Sequence, residues 1–170
     1  MSALRDAGTT VLTGDSRVLD VRGVRVGVAG CKGFGGGVLG ACATDFGEPE
    51  MKAFIRHTRH LAESLEGELV RLRKAADYRI ALLHYAPIDG TIEGEKRQIY
   101  PFLGSYLLGE AIDRAGSDIV FHGHAHLGRE RGVTPGGIPV RNVAQPVLRR
   151  AYNVYEVGHP RRDAAASSSR

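Results

Sequence analysis

The chain has 170 residues, 42% hydrophobic and 25% charged, with no tryptophan and a formal net charge of +4. That supplies one buried core, gives no reason for a second domain, and excludes low-complexity and disulfide-dense architectures. MSALRDAGTT lacks the apolar core of a secretory signal, and no run reaches the ~20 apolar residues of a membrane span.

Cys31 and Cys42 suit neither a metal-ligand spacing nor a disulfide framework, so a soluble protein of the reducing cytoplasm is expected. The arginines are scattered, with a good share in the last third, and no stacking aromatics are interleaved with them. That argues against nucleic-acid binding and for a solvated, mildly anion-attracting surface.

In chain order, SRVLDV and VRVGVAG flank a turn-forming Arg-Gly and predict a hairpin. GCKGFGGGVLG follows, too rich in glycine for regular structure. From Pro49 to about Ala76, apolar residues at Met51, Phe54, Ile55, Leu61, Leu65, Leu69 and Leu72 have helical spacing. YRIALLHYAP reads as a buried strand stopped by Pro87, and IDGTIEGEKRQ as a mobile charged loop. A second helix is expected around FLGSYLLGEAIDRAG. After it come the strand SDIVFHG, the turn TPGG, the strand IPVRNVA and a last strand around RAYNVYEV. Residues 1–157 form one domain in this reading and 158–170 a disordered tail. Helix alternating with strand gives the α/β class, with helices on at least one face of the sheet.

His84 ends one buried strand, and His124 and His126 lie just past the end of another. Neutral imidazole is a common ligand for divalent zinc, manganese, iron and nickel, and strand ends of α/β sheets are where sites collect. Together, ALLHYAP, then DIVFHGHAH about forty residues on, then GGIPVRNVA resemble the second half of a calcineurin-like metallophosphoesterase domain. The likeness runs from about residue 3 to 157.

The resemblance implies a partial four-layer α/β/β/α sandwich lacking its N-terminal half. It also implies hydrolysis of phosphomonoesters or phosphodiesters at a two-metal centre with a bridging carboxylate and a bridging water. His84 and His124 would ligate one metal, of manganese, iron, zinc or nickel type, and His126 the other. His122 is read as a strand residue or a hydrogen-bonding support. Lys32, Tyr85 and Arg129 are candidates for phosphate contact.

The chain departs from that family in its first half. D-x-H, G-D-x-x-D and G-N-H-[DE] motifs are all missing, and Asp15 reads as a turn residue. The bridging carboxylate, the asparagine ligand and the histidine for the leaving group are missing with them. Two cations a few ångströms apart repel strongly without a negative bridge, so at most one ion is expected here. Removing the first half should also bare an apolar sheet face. The expected occupant is a separate N-terminal polypeptide or another copy, with a phosphate ester as substrate of the completed site. The alternative is a catalytically dead module that binds a metal or a protein. His57 and His60, on the polar side of the long helix, are read as a solvated face, and Glu93 and Glu95 as part of the charged loop.

Overall fold

The computed structural model describes residues 2–156. A short helix α1 (Ser2–Asp6) precedes the expected hairpin of β1 (Asp15–Val21) and β2 (Val24–Cys31). Arg22 and Gly23, with φ of 56° and 82°, make its two-residue turn, the conformation that matches the twist of paired strands. The glycine-rich loop contains a two-residue ladder, β3 (Gly37–Val38) with β4 (Ala41–Cys42). Next come α2 (Pro49–Ala75), β5 (Tyr78–Leu83), α3 (Tyr100–Leu103), α4 (Tyr106–Ala115), β6 (Ile119–His122), β7 (Arg131–Val133), β8 (Pro139–Asn142) and α5 (Gln145–Leu148).

The main sheet runs β1-β2-β5-β6-β8-β7, its four inner strands parallel and its two edges antiparallel. Alternation along each strand sends Ala29, Cys31, Ala81, Leu83, Val120 and Val140 to one face. There they are buried beneath Leu65, Leu69 and Leu72 of α2 and Leu108 and Ile112 of α4. The two helices pack on each other and are clamped by Arg114 on Glu66 at 2.8 Å. The α/β class expected from the element order is therefore observed.

The opposite face carries Val26, Val28 and Ile80, all half-buried, and Leu82, which is 44% exposed. At the β1 edge the same face continues into Leu19 and Val21, 53% and 51% exposed. Of the four layers of a complete sandwich, the described residues build one helical layer and one main sheet. Their open face is apolar.

Three expectations need correction. The second helix is two helices, because Gly104 lies so close to Ala86 that a Cβ there would sit 2.0 Å from the Ala86 carbonyl oxygen. Ser105 then caps α4, its hydroxyl accepting from the Leu107 amide at 3.3 Å. No strand forms around RAYNVYEV within the described residues, because the unanticipated β7 already occupies the outer edge of β8. That segment instead lays Tyr155 on Phe121 of the open face, ring centroids 5.2 Å apart, and donates from Asn153 and Tyr155 to Glu130. The charged loop is also ordered, forming two 3-10 turns at Asp89–Thr91 and Arg97–Ile99. The tail expected at 158–170 lies outside the described residues.

Candidate histidine site at the strand ends

Because β5 and β6 are adjacent and parallel, their carboxyl ends open at one edge of the sheet, where ligands of α/β proteins collect. His84 follows β5 directly, its amide donating to the Lys32 carbonyl at 3.1 Å. The Gly123 amide donates to the His84 carbonyl at 3.2 Å, which joins the two strand ends. The His84 and His124 rings are brought to 4.6 Å between centroids, and Tyr85 lies 4.5 Å from His124. Sequence spacing alone had put these imidazoles forty residues apart.

His124 has φ of 67°, the left-handed region that a residue with a Cβ enters at a cost. Its Nε2 lies 3.1 Å from the Phe102 carbonyl oxygen. A carbonyl only accepts, so Nε2 is the donor, and in the neutral ring Nδ1 is the nitrogen with the free lone pair that a ligand or a substrate proton needs. His126 is exposed on the following turn, near enough to His84 for its charge to disfavour protonation there. Burial, and then the neighbouring His124, Lys32 and His126, hold His84 below the usual histidine range. It is therefore disposed to remain a neutral donor.

As a metal centre the arrangement is partial. Two imidazoles meet, but among the described residues no group of three or more His, Cys, Asp or Glu is placed to surround one ion. The side chains present fit part of one ion's shell and do not fit a two-ion centre.

Beneath His124 and His126 lies a buried network that fixes their turn. His122 is fully buried. Its Nδ1 lies 2.8 Å from the Gly123 carbonyl, so that nitrogen carries the proton, and its Nε2 accepts from the Thr91 hydroxyl at 2.8 Å. Asn142, also fully buried, donates to the Ala125 carbonyl at 2.7 Å and accepts from the Ala144 amide at 3.1 Å. Gly128 is pressed against Thr91, where a Cβ would meet the carbonyl oxygen at 2.1 Å. Outside the network, Glu95 accepts from the Leu127 amide at 2.8 Å. The loop of Thr91 to Glu95 thus supports the turn of His124 and His126. His122 serves as the hydrogen-bonding strand residue that its place in the sequence predicted.

The phosphate-contact candidates separate. Lys32 Nζ lies 5.6 Å from the Phe34 ring centroid and 5.7 Å from that of Tyr85, at the histidine edge. Arg129 is engaged by Glu93 at 3.0 Å on the surface. His57, read as solvated, is exposed yet packs on Phe34 at 4.9 Å. With Lys32, His84, Leu12 and Leu82 it lines a cavity of about 590 Å³. Only the fold places it there, since α2 approaches the strand ends from a distant part of the sequence.

No protein-family model matches the chain, and neither does any curated protein sequence. Among solved structures it is similar to one described as "Putative 5'-Nucleotidase from Staphylococcus aureus in complex with alpha-ketoglutarate". That likeness has 17% identity, covers 86% of this chain and 29% of that one, and has a TM-score of 0.52. A second, described as "GAP50 the anchor in the inner membrane complex of Plasmodium", is 10% identical over 77% of this chain and 36% of that one, TM-score 0.44. The first likeness shows that the α/β fold of this chain is shared with part of that structure. The chain spans 29% of that structure's length. No helix among the described residues is long and apolar enough to cross a membrane.

Proposed function

We propose that this chain is the histidine-bearing part of a metal-dependent phosphoesterase, acting on phosphomonoesters or phosphodiesters. The acidic ligands would come from residues outside this sequence, on the same or another polypeptide, docked on the open sheet face. The reading rests on one observation: two imidazoles from adjacent parallel strand ends meet at 4.6 Å, with the Nδ1 lone pair of His124 free. Charge supports an acidic complement, because Lys32 brings a positive charge to the edge where the neutral imidazoles gather. A divalent ion of manganese, iron, zinc or nickel type would supply Lewis acidity toward a phosphate ester there. In this reading the chain alone is inactive.

The test is expression of the tagged chain together with the upstream coding segment, fused in frame or as its own product, then assay of the purified pair with p-nitrophenyl phosphate and bis(p-nitrophenyl) phosphate in Mn²⁺. The pair should hydrolyse at least one ester, and H84A and H124A should abolish turnover without dissolving the pair. A folded pair no more active than the blank overturns the proposal. A second reading, a binding module without catalysis, is favoured by the incomplete donor set. Calorimetry with Zn²⁺ addresses it: binding by the isolated chain that disappears in H84A supports a metal module, and no heat in either protein removes it.

A further inference from the structure

A separate cavity of about 340 Å³ lies between α4, the loop after β5 and the turn before β8. It shares no lining residue with the cavity at the histidine edge. Its size is at the lower end of small-molecule sites, roughly 300–1,000 Å³. Val38, Pro87, Ile88, Tyr106 and Pro135 make its walls predominantly apolar.

The charged part of its lining has a different character. Asp89 and Glu110 are exposed there with one cation, Arg114, and Asp113 is half-buried beside them. That guanidinium is shared by two carboxylates: Nε and one terminal nitrogen donate to Glu66 at 3.1 and 2.8 Å, and the other terminal nitrogen lies 3.6 Å from Glu110 in a looser ion pair. Asp113 accepts from the Thr134 hydroxyl and the Gly136 amide, and Asp89 from the Gly90 amide. Those donors are neutral and bring no positive charge to Asp113 or Asp89. A chain with a net charge of +4 has here a locally acidic rim over an apolar well.

We propose that this cavity binds a small amphipathic organic amine, with its ammonium at the Glu110 and Asp89 rim and its hydrocarbon body between Ile88 and Tyr106. An apolar well excludes a fully hydrated cation, and the rim repels carboxylates and phosphates. An aliphatic or aromatic primary amine has both complements. At this volume a ligand of few atoms should bind with a dissociation constant on the order of 1 mM.

The experiment is nitrogen-edited NMR titration of the full chain at low salt with 2-phenylethylamine, against 3-phenylpropionate and 2-phenylethanol. The amine should give saturable shifts confined to Leu39, Ile88, Tyr106 and Gly109, and bind at least about fivefold tighter than the alcohol. Glu110 is 47% exposed, so E110Q folds, and combined with D89N it should remove that preference for the amine. Equal binding of amine and carboxylate, shifts centred elsewhere, or no saturation by about 10 mM each overturns the proposal. So does undiminished amine preference in the double variant.

Discussion

Replacing Asn142 by alanine removes the side chain that ties three segments together beneath the histidine turn, and its cost follows from the bonds it makes. The short bond to the Ala125 carbonyl, 2.7 Å, and the one from the Ala144 amide, 3.1 Å, contribute about 1 kcal/mol each. The 3.4 Å approach to the Thr91 carbonyl is too long to add much. Ala125 and Thr91 keep backbone donors from Gly128 and Arg129, but the Ala144 amide, on a residue only 7% exposed, is left without its partner. An orphaned buried amide costs about 1–3 kcal/mol in place of the net value of its bond, which with the lost Ala125 bond brings N142A to a loss of about 2–4 kcal/mol. Urea denaturation followed by circular dichroism measures it, with N153A as the control. Asn153 donates to Glu130 at 3.2 Å in a more open setting, and that change should cost under about 0.5 kcal/mol. A loss in N142A no larger than in the control would refute the reasoning that the turn hangs from this amide.

Gly104→Ala should destabilise by about 2 kcal/mol or more, since the new methyl must displace backbone at Ala86; a wild-type urea midpoint contradicts the close packing. Burial pushes the Cys31 thiol up to about 11, so Ellman's reagent at mildly alkaline pH should label Cys42 quickly and Cys31 only on unfolding. Two thiols titrating together speak against that burial. Burial holds the His122 imidazole at about 4, below the ordinary histidine value, so it folds neutral while the unfolded chain takes up a proton near pH 6.5. The resulting stability is complete above about pH 6.5 and falls by about 3 kcal/mol as pH drops to about 4. Urea midpoints across that range should show a flatter slope in H122Q, and an unchanged slope removes the assignment. The open sheet face should bind the dye ANS in native buffer, and L82T with V28T should lower that fluorescence; no native signal argues against an accessible apolar face.

Periodicity carried much of this architecture. The long helix was legible because Ile55, Leu65, Leu69 and Leu72 recur on one stripe, and the first hairpin because its strands flank a turn dipeptide. The break at Gly104 was hidden, since it arises from contact with Ala86, distant in sequence. Three-residue β7 has no pattern that a reader could separate from the loop around it, and missing it led directly to the false final strand. The pairing of His84 with His124 followed from their places at two strand ends, because neighbouring parallel strands open at one edge. The supporting parts of Thr91 and Asn142 were not legible, and His57 was read as a solvated face, because what each does depends on tertiary contacts. Glu95, expected in a mobile loop, was misjudged for the same reason: its partner is a backbone amide more than thirty residues away.

The conformation of His124 sets stability and chemistry at odds at one residue. At φ of 67° a glycine would sit without steric penalty, and any residue bearing a Cβ surrenders about 1 kcal/mol. Exchange for glycine would relax the backbone of this turn and in the same stroke delete the ring that meets His84.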